Sequence, residues 1–426
     1  MISQADHIAS DRILARAAWR LIPFMMLMYV ASFLDRVNIS FAALAMNQDL
    51  GFSAQIYGFG AGVFFFGYFL FEVPSNLMLQ KVGARVWMCR ICVTWGILSM
   101  LTAFVTEPIG FYVLRFLLGA AEAGLYPGMI LYMTYWFPSA TRARFIALFL
   151  AAVPLSNVIG APISGWLLGI EGWGFRGWQW MLLLEGIPSL LCGLATLWVL
   201  PDGPSHAKFL SEDEKRIIAA RLAAEPPGAL HGFVEMLKDK RIWILMIPDF
   251  SIVIGLYGLN LWQPQMIKAM GYSNIETGFI VALPYLLAMG AMVALGWSSD
   301  RSGERPGHVA FGAFTGAAGM LGAVLLSHHG LVIASLCVAC CGIYAALAVF
   351  WTLPSALLRG AAAAGGLALL NSFSNLGGFF GPYLMGWARQ TTGDFVLGMT
   401  LMSAMLVLAG VSVIVIGRAF FRDVRT

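Results

Sequence analysis

Long stretches without a single charged residue recur along the chain. Residues 50–71, 145–170, 277–299, 360–388 and 395–417 contain no Asp, Glu, Lys or Arg. Each is long enough to cross the hydrocarbon core of a bilayer, which takes about 20 apolar residues in an α-helix. Because a backbone in lipid must satisfy its hydrogen bonds internally, each stretch predicts a membrane-spanning helix.

Seven more predicted spans bring the total to twelve. Residues 306–358 are uncharged throughout but are interrupted at Ser327 to Gly330, which predicts two helices there. The composition agrees, since 59% of the residues are apolar and 11% are charged, against about 45–50% and about 25% in soluble domains. We therefore predict an all-α membrane protein with twelve transmembrane helices. The five remaining spans carry one or two charges each and cover residues 19–46, 86–106, 109–133, 178–200 and 241–267.

Lys and Arg are distributed unevenly over the predicted loops. Most of the 26 fall on one side, whereas the other side receives Arg176, Lys268 and Arg389, and Arg36 and Arg115 lie inside predicted spans. Cytoplasmic loops collect Lys and Arg, so we expect a multi-pass protein of the inner (plasma) membrane with both termini in the cytoplasm. The net charge of +4 follows from this orientation, and we expect no nucleic-acid partner.

The predicted helices divide into two similar halves. Residues 201–240 are the one soluble-looking stretch, which predicts an N-terminal six-helix bundle (1–200), a cytoplasmic linker (201–240) and a C-terminal six-helix bundle (241–426). Gly51 to Gly58 parallels Gly271 to Gly278, and Gln80 to Arg85 parallels Asp300 to Arg305 at the same offset. Pseudo-symmetric repeats of this kind place a solute site between the halves, near the middle of the bilayer.

Four charged residues inside the spans are candidates for function: Asp35, Arg36, Arg115 and Glu122. A charge at the bilayer centre costs at least about 2.5 kcal/mol, so each must pair or line a wet cavity. Adjacent Asp35 and Arg36 point about 100° apart on a helix and cannot pair side by side. Arg36 is a permanent cation with donors that match a carboxylate, so we expect an organic anion as cargo. The alternative is an ion pair that only pins helices together.

The second half offers amides instead of charges. Asn260, Gln263 and Asn371 can bind hydroxyl groups of a substrate, although for Gln263 and Asn371 hydrogen bonding between helices is the alternative. Tyr68 either offers its hydroxyl to a substrate oxygen or simply packs. A polyhydroxy or dicarboxylic anion would use both halves.

Two sets of motifs carry a family resemblance. The run from Asp300 to Arg305 resembles the cytoplasmic loop motif of the major facilitator superfamily. Leu34 to Asn38 and Arg115 to Gly124 resemble the anion:cation symporter family within it, to which tartrate, phthalate and galactonate permeases belong. The first-half loop departs from the motif, because Asn76 and Gln80 stand where Gly and Asp are usual.

The resemblance implies roles for individual residues. By comparison with galactonate-type permeases, Asp35 and Glu122 carry protons and Arg36 holds the substrate carboxylate. Tyr68, Arg115 and Asn371 match positions of substrate contact or coupling. The loop motifs are expected to control conformational gating, through Gly83, Arg85, Asp300, Arg301 and Arg305.

These observations predict a secondary active transporter that takes up a small organic anion with protons by alternating access. Hydroxylated dicarboxylates, sugar acids and aromatic carboxylates are the expected cargoes. Protonation of Asp35 or Glu122 would weaken its hold on an arginine, and the anion would replace it as counter-ion. We expect a monomer in the lipid bilayer without cofactor or metal. The alternatives are an exchanger or facilitator without proton coupling, or a transport-dead receptor; no enzyme motif is apparent.

Overall fold

The computed structural model describes residues 4–224, 239–358 and 361–420. Their fold is built from α-helices, and the one extended pairing is an isolated bridge between Gly172 and Phe175. The predicted linker is described only in part, since residues 225–238 lie outside these ranges. The helices are α1 (Gln4–Leu50), α2 (Ala54–Val82), α3 (Ala84–Leu101), α4 (Pro108–Glu122), α5 (Leu125–Thr134), α6 (Ser139–Leu167), α7 (Gly177–Val199), α8 (Glu212–Ala223), α9 (Lys240–Lys268), α10 (Asn274–Ser302), α11 (Pro306–Leu325), α12 (His329–Phe350), α13 (Thr352–Leu357), α14 (Ala361–Asn375), α15 (Gly377–Thr392) and α16 (Val396–Phe420).

The helices follow the predicted spans. Ten segments of the described chain are long and apolar enough to cross a membrane, and the other two predicted spans correspond to α6 and to the consecutive helices α14 and α15. Residues 306–358 divide as predicted, because α11 ends at Leu325 and α12 begins at His329. Two predicted spans differ from the helices in extent. α2 continues past the uncharged run 50–71, through the buried Glu72, to Val82. The predicted span 109–133 is divided, because α4 ends at Glu122 and α5 begins at Leu125, after Gly124 with a φ of 89°.

The linker and both described chain ends lie on one side of the helical layer, which we call the linker side; the opposite side is the far side. Arg16 of α1 pairs with Glu214 of α8, and Gly417 near the end of α16 packs against Pro306. The Ser211 backbone N–H and the Arg16 guanidinium hold the pKa of Glu214 below its usual range. These contacts fix α8 beneath the first helix.

The segments that are similar in sequence in the two halves are also similar in structure. α2 and α10 begin with the same cap, in which Ser53 or Ser273 accepts a hydrogen bond from the backbone N–H three residues later. Both helices end at a glycine with positive φ, 95° at Gly83 and 68° at Gly303. Residues with a Cβ rarely adopt this conformation, so the two glycines mark equivalent turns.

The two halves approach each other most closely on the far side. A Cβ added at Gly58 of α2 would lie 2.6 Å from the Pro382 carbonyl oxygen of α15. The Tyr57 hydroxyl donates to the Leu261 carbonyl at 2.6 Å, and its ring meets Trp262 edge to face at 4.9 Å. We call Tyr57, Leu261, Trp262 and Pro382 the far-side gate, which is closed in this structure.

Replacing Gly58 by leucine should prevent this closure. The new side chain would overlap backbone atoms of α15, which cannot rotate away. We expect substrate uptake to fall at least tenfold, because alternating access needs the closed state. The closure can be followed with an Ala61→Cys thiol in a variant without native cysteines, because position 61 is buried here. This thiol should react faster with a soluble thiol reagent when Gly58→Leu is present than when Gly58 is kept.

Gly290→Leu is the matched control, since a Cβ at Gly290 of α10 meets nothing within 4 Å. It should leave uptake and thiol reactivity unchanged. Wild-type uptake by Gly58→Leu would contradict a need for this close contact.

Candidate functional site

Arg36 and Glu122 form a buried ion pair between α1 and α4. Arg36 Nη2 donates to Glu122 Oε1 at 2.5 Å, and Ser32 Oγ donates to the same oxygen at 3.1 Å. Their side chains are only 8% and 1% exposed. Burying two charges is favourable only when their remaining donors and acceptors are satisfied, yet Arg36 Nε and Glu122 Oε2 have no hydrogen-bond partner among the residues that the structure describes. The pair therefore keeps unused capacity for hydrogen bonds.

The Arg36 guanidinium also reaches the second half. Its Nη1 donates to the Tyr257 hydroxyl of α9 at 2.9 Å. The rings of Phe33, Phe64 and Tyr68 lie 4.7, 5.3 and 5.3 Å from the guanidinium carbon, within the range of cation–π contacts. Arg36 thus lies where the two halves meet. Tyr257 was missed by sequence analysis, although it precedes the noted Asn260 by one helical turn.

Arg115 lies against one of these rings, Phe64, and forms no salt bridge with a described residue. Its guanidinium carbon is 5.1 Å from the Phe64 ring, and Nη2 donates to the Ala61 carbonyl at 3.4 Å. In the described parts of the chain, no acidic group lies within ion-pair distance of it. Although Glu122 belongs to the same helix, seven residues separate them by about 10 Å along the axis, and Arg36 of the neighbouring helix takes the carboxylate instead.

Asp35 faces away from Arg36, into the first half. Its carboxylate accepts hydrogen bonds from Trp95 Nε1 at 2.6 Å and Ser99 Oγ at 2.8 Å, and also from Ser189 Oγ. The residue is 1% exposed and lies between α1, α3 and α7. The predicted divergence of Asp35 and Arg36 is confirmed by these partners, which sequence analysis did not single out.

The amides of the second half do not hydrogen-bond to the Arg36 pair. Asn260 accepts from the Tyr285 hydroxyl at 2.8 Å and donates to the Tyr344 hydroxyl at 3.1 Å. Gln263 is fully buried, and neither of its amide atoms has a partner among the described residues. α9 therefore carries two further polar groups beyond Tyr257, towards the far side.

Asn371 takes part in a contact between the halves on the linker side. Its Nδ2 donates to Glu72 Oε1 at 3.2 Å, and Ser372 Oγ donates to Glu72 Oε2 at 2.6 Å. Both donors belong to α14 and the carboxylate to α2. In this conformation Asn371 joins α14 to α2, which is the helix-to-helix alternative considered for it.

The predicted gating residues lie at two helix-to-helix turns on the linker side, in the turn itself or in the adjoining end of a helix. In the first half, the Arg85 backbone N–H donates to Asp202 Oδ1 at 3.0 Å, and a Cβ at Gly83 would lie 2.7 Å from that oxygen. Asp202 of the linker thus supplies a carboxylate to a loop where Gln80 replaces the usual acid. Because Gly83 has no side chain, the Asp202 carboxylate fits beside it.

In the second-half loop, Asp300 pairs with Arg305 at 2.5 Å. Arg305 also donates to Ser299 Oγ at 3.1 Å. The Arg301 guanidinium carbon lies 5.4 Å from the Trp297 ring centroid. These contacts stay within α10 and its C-terminal turn.

Comparison with known proteins agrees with this architecture. A family model described as Major Facilitator Superfamily matches residues 25–382. The chain belongs to the Major Facilitator Superfamily. It is therefore a membrane transporter and not an enzyme, and the twelve-helix prediction agrees with the fold of this superfamily.

Relatives within the Major Facilitator Superfamily align over almost the whole chain. The chain is 47% identical over 419 residues to a putative tartrate transporter of Agrobacterium vitis, covering 97% of this chain and 93% of that protein. It is 44% identical over 414 residues to the putative metabolite transport protein NicT of Pseudomonas putida, covering 96% and 94%. A solved bacterial homolog of the human lysosomal transporter Spinster, inward-facing and occupied, shares the fold with TM-score 0.77 at 18% identity over 95% and 97% of the chains.

Proposed function

We propose that this transporter carries a small organic anion into the cell together with protons. The observation that supports this best is the buried Arg36 and Glu122 pair, which lies where the halves meet and has unused hydrogen-bonding atoms. A hydroxylated dicarboxylate is the first candidate because a relative is named for tartrate. Sugar acids and aromatic carboxylates share the carboxylate that Arg36 would bind.

Arg36 provides the anion site in this proposal. A guanidinium cannot lose its charge under physiological conditions and presents paired N–H donors to a carboxylate. Its present acceptors are one Glu122 oxygen and the Tyr257 hydroxyl, both of which a substrate carboxylate can replace. Because Tyr257 belongs to the second half, substrate binding at Arg36 would involve both halves. Arg115 adds a second cation beside Phe64.

Glu122 links anion binding to protons. As a carboxylate it is the counter-ion of Arg36, and once protonated it loses most of its attraction for the guanidinium. The substrate anion then becomes the counter-ion, so the proton and the anion bind together. Asp35 would be a second proton site, inside the first half and held by Trp95 and Ser99.

Movement of the two halves would expose this site to each side in turn. The far-side gate is closed here, and the linker-side contact of Glu72 with Asn371 and Ser372 would have to open for substrate release. We place the linker side in the cytoplasm and the protein in the plasma membrane, acting as a monomer. The two linker-side turns would hold the moving helices at their ends, through Gly83, Arg85, Asp300, Arg301 and Arg305.

Uptake into proteoliposomes tests this function. We expect tartrate to accumulate when the outside is acidic relative to the lumen, and a protonophore that collapses the pH gradient should abolish the accumulation. An exchanger would instead require tartrate inside, and a facilitator would only equilibrate the two sides. A transport-dead receptor would show neither process, so each alternative predicts a different result.

A further inference from the structure

A polar pocket lies between the halves, on the outer side of the closed far-side gate. Its volume is about 400 Å³, within the range of about 300–1,000 Å³ that is usual for small-molecule sites. We call it the far-side vestibule. Its polar lining consists of Asn47 and Gln48 of α1, Gln265 and Lys268 of α9, and Arg389 of α15.

The far-side vestibule contains two cations, neither of which forms a salt bridge with a described residue. Lys268 Nζ donates to the Tyr272 carbonyl at 3.0 Å, and Arg389 Nη1 donates to Gln265 Oε1 at 2.9 Å. Among the described residues, neither cation has a carboxylate within ion-pair distance, and no acidic residue lines the pocket. Clefts lined by one sign of charge attract ions of the opposite sign.

The nearest acidic side chains in sequence are engaged elsewhere. Asp49, shortly after Gln48, pairs with Arg176 and accepts from Trp178 Nε1 at 2.8 Å. Asp394, next to the end of α15, accepts from the Val396 backbone N–H at 3.0 Å. The positive charge of the vestibule is therefore not neutralised by these two groups.

Gln265 joins the vestibule to the gate. Because the Arg389 guanidinium can only donate hydrogen bonds, the amide oxygen of Gln265 must face it, and the NH₂ group must face elsewhere. Gln265 is only 8% exposed, and its side chain also interacts with the Tyr57 hydroxyl of the far-side gate. Gln265 therefore holds Arg389 in place at the wall of the vestibule.

The vestibule lies just beyond the gate on the same helix that contacts Arg36. Along α9, Tyr257 meets Arg36, Trp262 forms part of the gate, and Gln265 and Lys268 follow towards the far side. The eight residues from Tyr257 to Gln265 correspond to about 12 Å. The Arg389 guanidinium carbon is 5.6 Å from the Trp262 ring centroid, so the vestibule touches the gate directly.

We propose that the far-side vestibule is a second carboxylate site, which captures the substrate anion before the gate opens towards Arg36. The inference rests on the proposed function, since it assumes that the cargo is an organic anion. Lys268 and Arg389 would provide the charge that holds the carboxylate. Opening of the gate would pass the anion to Arg36.

Kinetics of tartrate uptake at fixed pH gradient test the capture site. Arg389→Gln and, separately, Lys268→Gln should each raise the KM for tartrate about tenfold, as expected for losing one charge-assisted contact. The maximal rate should stay within about twofold, because Arg36 is intact and only binding before translocation is weakened. The KM of both variants should also depend less on ionic strength.

Arg176→Gln combined with Asp49→Asn is the matched control. It removes another far-side cation together with its acidic partner, neither of which lines the vestibule, so its KM should equal that of the wild type. Unchanged KM values in both Arg389→Gln and Lys268→Gln would overturn the capture site while leaving anion transport intact. If the wild type itself transports no carboxylate, the proposed function fails instead, and the two failures are thus separate.

Discussion

Arg36→Ala should lose tartrate binding by at least 100-fold. This loss corresponds to about 2.8 kcal/mol and lies within the about 2–5 kcal/mol that truncating one partner of a buried charge pair costs. Arg36→Lys should also bind poorly, because an ammonium lacks the planar pair of donors. Binding would be measured by the ligand-induced rise in melting temperature of the purified protein, and transport by uptake into proteoliposomes.

Arg16→Ala is the control on the same helix. Arg16 also pairs with a glutamate, Glu214, but on the linker side, where its side chain is 54% exposed. Exposed ion pairs contribute about 0–1 kcal/mol, so this variant should bind and transport tartrate like the wild type. If Arg36→Ala binds tartrate equally well, the assignment of Arg36 to the carboxylate is wrong.

A double variant separates binding from a purely structural role of the pair. Arg36→Met combined with Glu122→Leu removes both charges and replaces them with apolar side chains of similar volume, a change that often preserves or raises stability. We expect this variant to fold, as judged by its melting temperature, and to bind no tartrate. Normal transport by the double variant would mean that the pair only pins α1 to α4.

Glu122→Gln should uncouple transport from the proton gradient. The amide keeps one oxygen for Arg36 and Ser32, and its NH₂ replaces Oε2, which has no partner in the described parts of the chain. The substitution therefore imitates a permanently protonated Glu122. We expect accumulation driven by the pH gradient to fall at least tenfold, while exchange of internal for external tartrate continues and varies less with pH.

Asp35→Asn tests the second proton site, but we expect it to destabilise the protein more than Glu122→Gln does. In either orientation the new NH₂ group would face an N–H donor, Trp95 Nε1 or Asn38 Nδ2, and neither can accept a hydrogen bond. A buried donor left without an acceptor costs about 1–3 kcal/mol, so melting temperature must be measured beside gradient-driven uptake. Glu214→Gln, in the exposed α8, is the control for both carboxylates. Full accumulation by Glu122→Gln and Asp35→Asn would exclude proton coupling through them.

The membrane fold could be predicted from local sequence. The split of residues 306–358 and the repeated turns at Gly83 and Gly303 depend on hydropathy, breakers and spacing within short segments. The break between α4 and α5 and the end of α2 were not predicted; at α2 the reason is that hydropathy counts Glu72 as polar. The structure buries its carboxylate against Asn371 and Ser372 of another helix, which no local window contains.

The sequence by itself determined the crossing helices, their repeat, and the presence of Asp35, Arg36, Arg115 and Glu122 inside them, because burial in lipid acts on each segment separately. Only the tertiary structure decided that Glu122 pairs with Arg36 and that Tyr257 completes the contact. Helical periodicity fixes the relative direction of side chains within one helix. It does not fix the depth and rotation of one helix against another, which depend on close packing over the whole bundle.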